Sequence, residues 1–255
     1  MFPSRSSGIR RPGRSWHTRG VGELRHLAGR VWIYPYDPDP ARVQGCVAVI
    51  ADDEGSVLVD AGNSPTMARR VRDAVAAAGL PAPRRLIYTH HHWDHVWGAC
   101  AWPEVEIIGH RAGAAVLRAE AGRPWSEAYL RELVTANPRL SASCTARARA
   151  MAGDWDDFTV VVPHTEFDDT LTLPGGVEIR HVGGGHAEDS TVVAVPDSGV
   201  LLLGDCFYPP PLHLRQPGDG LDLALIQRLL GDYPPDRYAW YAESHDDPKP
   251  SSALI

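Results

Sequence analysis

The sequence has little that would tie it together covalently or carry it through a membrane. Its four cysteines, at 46, 100, 144 and 206, are far apart and form no Cys-x-x-Cys pair. That spacing excludes a disulfide framework and a cysteine zinc knuckle. It fits free thiols in a reducing cytoplasm, the compartment we expect. No apolar run approaches the roughly 20 residues that cross a bilayer; the stretch 200–203 is representative. The arginine-rich start has no apolar segment of the secretory kind, so no such leader is expected. No internal repeat is found.

Acidic residues are scarce at the start of the chain. Residues 1–30 hold seven arginines against one acid, Glu23, a balance of +6 in a chain of net charge −7. The remainder therefore carries about −13. We read 1–29 as an arm outside the fold and 30–255 as the domain. The acidic body argues against a nucleic-acid substrate, which calls for a basic face. A small-molecule substrate is expected instead, with no membrane partner; composition is silent on oligomeric state. The 44% hydrophobic content is ordinary for a chain of 255 residues with a real core.

Against these absences stands one dense cluster. Residues 89–95 read Thr-His-His-His-Trp-Asp-His and contain His-x-His-x-Asp-His: His90, His92, Asp94 and His95. Imidazole nitrogens and carboxylate oxygens are the donors that zinc and similar ions prefer. No packing requirement explains four of them in six residues, and His91 reads as a spacer. Three later positions have the form of ligands at strand ends: His186 after three glycines, Asp205 after Leu203-Gly204, and His245 after Glu243-Ser244. Seven donors exceed one tetrahedral ion and suit two.

Hydrophobic periodicity predicts strands near 31–34, 46–51, 56–60, 85–89, 105–109, 158–162, 170–173, 177–182, 191–195, 200–203 and 238–242. Helices are expected at 66–78, at 111–121, 126–136 and 142–151, and at 221–230. Two mainly antiparallel sheets, each covered by helices, satisfy that order as an α+β, four-layer αββα sandwich with a helical insertion at 111–153. An α/β sheet with other connections satisfies the periodicity as well. The insertion reads either as a cap over the metal donors, with Trp125, Tyr129 or Trp155 lining a pocket, or as a packing appendage.

The set of motifs resembles the metallo-β-lactamase superfamily. His-x-His-x-Asp-His at 90–95, His186, Asp205 and His245 match its motifs in order, and Asp60 in Val-Leu-Val-Asp-Ala-Gly matches its early aspartate. The resemblance spans roughly residues 30–246. His245 departs in context, with Ser-His-Asp-Asp-Pro where Gly-His is common. The resemblance implies one metal on His90, His92 and His186, a second on Asp94, His95 and His245, and Asp205 bridging them. Asp60 would orient a ligand. Two Zn2+ per chain are expected, with iron or manganese as alternatives.

By the same resemblance the activity is hydrolysis by activated water of an ester, lactone, thioester or phosphodiester, with Asp94 able to accept a proton. Asp205 counts against β-lactam hydrolysis, because β-lactamases of the superfamily generally lack that aspartate. The alternative is a mononuclear-iron persulfide dioxygenase on the same fold. Tyr208, beside the stiff run 209–211, is either a substrate-binding hydrogen-bond donor or a core residue. Cys206 reads as a small buried hydrophobe.

Overall fold

The computed structural model describes residues 22–253. Most of the arginine-rich arm therefore lies outside the described residues. The first sheet runs β1 (Arg25–Ala28), β2 (Val31–Tyr34), β3 (Val47–Ile50), β4 (Ser56–Val59), β5 (Pro83–Ile87), β6 (Glu106–His110) and β7 (Thr165–Phe167), in that spatial order. The second runs β13 (Lys249–Pro250), β12 (Trp240–Glu243), β11 (Val200–Gly204), β10 (Thr191–Val195), β9 (Glu178–His181) and β8 (Thr170–Thr172). Strand β1 falls in the stretch assigned from the sequence to the arm. It pairs antiparallel with β2, and His26 packs edge-on against Trp32.

Strict alternation along the strands builds the layers. Ala48 and Ile50 of β3 face inward and meet Val193, Val195, Val200 and Leu202 of the second sheet in one core between the sheets. Val47 and Val49 face the other way, onto Met67, Val71 and Val75 of α1 (Pro65–Ala77). Behind the second sheet, Val192, Ala194 and Leu201 pack on Leu225 and Leu229 of α6 (Leu223–Asp232). The result is the four-layer αββα sandwich. Each fully buried aliphatic side chain contributes about 1.5–3 kcal/mol against exposure, so the three cores are the main source of stability.

Local chemistry sets the helix ends. Ser64 caps α1 by accepting from the Met67 N–H at 3.3 Å, with Pro65 in the first turn. Asp222 caps α6 through the Leu225 N–H at 2.9 Å. The insertion holds α3 (Arg111–Ala121), α4 (Glu127–Ala136) and α5 (Ser141–Ala150), close to the expected spans.

Two expectations need correction. Residues 158–162 form no strand. Pro163 follows and offers no N–H to a ladder, and the Val161 carbonyl accepts from the Tyr88 hydroxyl instead. Nor is the first sheet mainly antiparallel: β4–β5, β5–β6 and β6–β7 are parallel. The connections through α1 and the insertion are long enough for crossovers, which parallel pairing requires. Among the described residues no helix is long and apolar enough to cross a membrane.

Candidate metal centre

Parallel pairing brings strand ends to one rim. β4 and β5 run parallel in the first sheet, and β11 and β12 run parallel in the second. Asp60 follows β4, residues 88–95 follow β5, Asp205 follows β11 and His245 follows β12. The two sheets are stitched there: the Thr191 N–H donates to the Thr89 carbonyl at 2.8 Å, and the Cys46 N–H to the Ser244 carbonyl at 2.7 Å. The short helix α2 (Trp93–Val96) turns Asp94 and His95 inward beside His92.

The seven expected donors converge. His90, His92 and His186 form one group and Asp94, His95, Asp205 and His245 another, with the candidate ligand atoms of each group within 4.8 Å of one another. In the first, His92 Nδ1 lies 2.9 Å from His90 Nε2 and 3.0 Å from His186 Nε2. In the second, Asp94 Oδ2 lies 3.2 Å from His95 Nε2 and 3.1 Å from His245 Nε2. Asp205 Oδ2 touches both groups, 3.3 Å from His186 Nε2, 3.5 Å from His95 Nε2 and 3.6 Å from His245 Nε2. Tetrahedral ligands on bonds of about 2.0–2.1 Å stand about 3.3–3.4 Å apart, close to these separations.

Neutral rings, the form that ligates metal, cannot satisfy this arrangement with protons alone. The His186 Nδ1 donates to the Pro209 carbonyl at 2.9 Å, which leaves a lone pair on Nε2. The His95 Nδ1 donates to Asp60 Oδ2 at 2.7 Å, which in the neutral ring leaves the same lone pair; without a cation, Asp94, Asp205 and Asp60 hold this ring protonated, well above the usual histidine range. The Thr89 hydroxyl donates to Asp60 Oδ2 at 2.9 Å, so its oxygen accepts from His90 Nδ1 at 3.1 Å. His90 Nε2 and His186 Nε2 thus both present lone pairs to His92 Nδ1, which has at most one proton to offer. His95 Nε2 and Asp205 Oδ1 are buried without a well-formed hydrogen bond. A cation in each group would satisfy all of them, and the donor chemistry fits.

A model of the metallo-β-lactamase superfamily matches residues 41–251. The chain belongs to that superfamily. Solved metallo-β-lactamases share the fold at low identity. The enzyme from Hirschia baltica is 19% identical with a TM-score of 0.62, covering 91% of this chain and 94% of that one. The enzyme from Pontibacter korlensis is 20% identical at a TM-score of 0.56, with coverage of 91% and 94%. The enzyme from Erythrobacter litoralis, solved with β-mercaptoethanol in its active site, is 14% identical at 0.59, with coverage of 91% and 92%. No curated protein matches the chain.

Asp60, which the early motif singled out, contacts both Thr89 and the candidate donor His95. Its Oδ1 accepts the Thr89 N–H at 2.8 Å, and its Oδ2 serves Thr89 and His95. Asp60 is itself a non-glycine residue at φ 64°, a conformation aspartate tolerates better than most. Gly204 at φ 56° sets Asp205: a Cβ there would meet the Thr89 Cβ at 2.7 Å.

The electrostatics of the two groups differ. Burial, reinforced by the neighbouring imidazoles, holds His90 and His92 well below the usual histidine range, in the neutral form that ligates metal. Burial also opposes charge in the second group, but mutual pairing wins. Asp205, Asp94 and their partners raise His245 to about 10, and the histidines hold both carboxyls well below the usual carboxylate range.

A cavity of about 690 Å³ opens onto the site and is lined by His92, Asp94, His186, Asp205 and His245; His90 and His95 are buried behind them. Helix α5 forms one wall through Ala142, Ala146 and Arg147. The tryptophans expected to line a pocket do not. Trp125 and Trp155 pack on the fully buried Trp97, at 5.0 and 6.0 Å between ring centres, and Tyr129 packs on Trp125. Their apolar area is drawn into the core beneath the insertion.

Tyr208 stands edge-on to His245 at 5.8 Å and is not a lining residue, whereas His213 is. Cys206 is buried beside Tyr241 and Leu203, as a small hydrophobe. His91, read as a spacer, lines the cavity and pairs with the buried Asp189 at 2.7 Å. Asp189 lies 98 positions away, and no local spacing in the sequence points to it.

Proposed function

We propose that the protein is a metal-dependent hydrolase of a small molecule, working through two divalent ions, zinc by default. His90, His92 and His186 would hold one ion, Asp94, His95 and His245 the other, and Asp205 would span both. The observation that carries this reading is Asp205 Oδ2 within 3.3–3.6 Å of histidines from both groups. When bound, the ions supply a water whose pKa falls from about 15.7 toward 7 and a Lewis acid for the scissile oxygen.

The chain's own residues do the rest. Asp60 and Thr89 hold His95 and His90 in the tautomers that face the ions. Asp94 lines the cavity and is the candidate acceptor for a proton of the attacking water. The cavity volume lies in the range of small-molecule sites, and Pro40, Val43, Leu212 and Leu214 give it an apolar side. Esters, lactones, thioesters and phosphodiesters are the substrate classes, and the four free thiols fit a cytoplasmic location. Tyr208, expected to donate a hydrogen bond to substrate, stands behind the cavity wall beside His245, and Tyr208→Phe tests that role through kcat/KM. The test is metal content of protein expressed without supplementation, together with a panel of lactones, thioesters, phosphodiesters and β-lactams. Two zinc ions per chain and turnover of one class are expected. One iron per chain with oxygen uptake on persulfide would replace the hydrolase with a dioxygenase.

A further inference from the structure

The cavity has a second polar feature that the metal donors do not use. Arg147 of α5 lines it. Its guanidinium carbon stands 5.2 Å from the ring centre of Trp97, 5.5 Å from Trp125 and 5.6 Å from Trp93. Its Nε is buried with no hydrogen-bonding partner. Among the described residues no carboxylate lies within ion-pair distance of it; Glu120 and Asp94, both on the cavity wall, favour its charge only from further off, against the burial that lowers its pKa.

The two other lining arginines differ. Arg139 donates to the carbonyls of Leu212 and Arg215, and Arg149 to that of Ala41. Burying a cation without an acceptor is unfavourable, and aromatic faces offset only part of the cost. A planar guanidinium fork held by three rings is preorganised for one planar monoanion.

We propose that Arg147 is the specificity-determining residue of the cavity and receives a carboxylate of the substrate, away from the scissile bond. This rests on the hydrolase reading for the identity of the reacting bond, but not for the anion contact itself. The carboxylate would accept both bonds of the fork from the cavity side, with the tryptophan cluster behind the guanidinium. Substrates would then be carboxylate-bearing esters, lactones or thioesters in preference to their neutral counterparts.

The test uses the full-length, zinc-loaded protein. Calorimetry compares benzoate with its neutral isostere benzamide, in the wild type and in Arg147→Met, which keeps an unbranched stem against the rings. Any carboxylate affinity of the ions is common to both proteins and cancels in the comparison. The benzoate preference should fall roughly tenfold to a hundredfold, the range for losing a charge-assisted hydrogen bond. In parallel, the ratio of kcat/KM for mono-4-nitrophenyl glutarate over 4-nitrophenyl acetate should fall by a similar factor. An unchanged preference in a folded variant overturns the proposal. If Arg147→Met does not fold, Arg147→Lys should show an intermediate preference, and a wild type that binds benzoate no better than benzamide overturns the idea without any variant. Loss of benzoate preference with neither ester cleaved would leave the anion contact standing and count against the hydrolase.

Discussion

Replacing Asp60 with asparagine should damage the site more than its size suggests. Oδ2 of Asp60 accepts from both Thr89 Oγ1 and His95 Nδ1, at 2.9 and 2.7 Å. In Asp60→Asn the amide oxygen can still serve the Thr89 N–H, but an NH2 group then faces the other two partners. His95 must accept at Nδ1, which moves its proton to Nε2, toward Asp94 and Asp205. The Thr89 hydroxyl, now an acceptor toward residue 60, turns its proton to His90 Nδ1 and inverts that ring as well. Both metal groups thereby gain a proton where a lone pair was needed.

Partners of this kind are typically worth 10–100-fold in metal affinity. Exchanging two charge-assisted bonds for neutral ones costs about 2–3 kcal/mol, and asparagine tolerates the left-handed backbone at 60. For a domain of this size that is roughly 5–10 °C in Tm. Asp60→Ala should be the less stable protein, by about 5 kcal/mol, because three donors lose their acceptor and alanine is strained at positive φ. Yet a water in the space left by the carboxylate can keep His95 in its native tautomer, so alanine should bind zinc better than asparagine does. Chelator-competition titrations and thermal melts of both variants read this crossing. Zinc affinity in Asp60→Asn equal to the wild type, or better than in Asp60→Ala, would refute the tautomer argument.

Other substitutions separate the site from the scaffold. Asp205→Ala should reduce metal content from two ions per chain to one or fewer and abolish most turnover while the far-UV spectrum is kept; two ions and full activity would remove Asp205 from the centre. Gly204→Ala should destabilise by about 3 kcal/mol, summing left-handed strain and overpacking against Thr89, read as a lower denaturation midpoint. Trp97→Ala should cost about 3–5 kcal/mol, because this fully buried ring carries Trp93, Trp125, Trp155 and Phe158; a loss below 1 kcal/mol would contradict that packing. Dialysis against a chelator should lower Tm and stop hydrolysis together, and added zinc should restore both.

Much of the fold was legible because alternation and capping are local. The strands at 47–50 and 191–195 are short, wholly buried, largely apolar runs, and Ser64-Pro65 carries a favoured helix-opening pair. The parallel pairings of the first sheet were not legible, since they depend on which faces the crossover helices cover. Residues 158–162 have a strand's composition without its ladder, because Pro163 and the Tyr88 hydroxyl claim the backbone. Trp125 and Trp155 have the look of pocket residues, but the pull of a shared apolar core around Trp97 acts across the fold.

The sequence by itself pointed to the candidate donor set, because ligand chemistry is written in residue type and short spacing: four donors in six residues admit few readings besides a metal. It also showed four dispersed cysteines and no apolar run near the roughly 20 residues that cross a bilayer. Only the tertiary structure decided that Asp205 reaches both groups, that Asp60 governs two imidazoles through one oxygen, and that Arg147 stands in the cavity wall without an ion-pair partner. Those are distances between residues far apart in the chain. They are set by how two sheets bring their strand ends to a common rim, and no local pattern of residues encodes them.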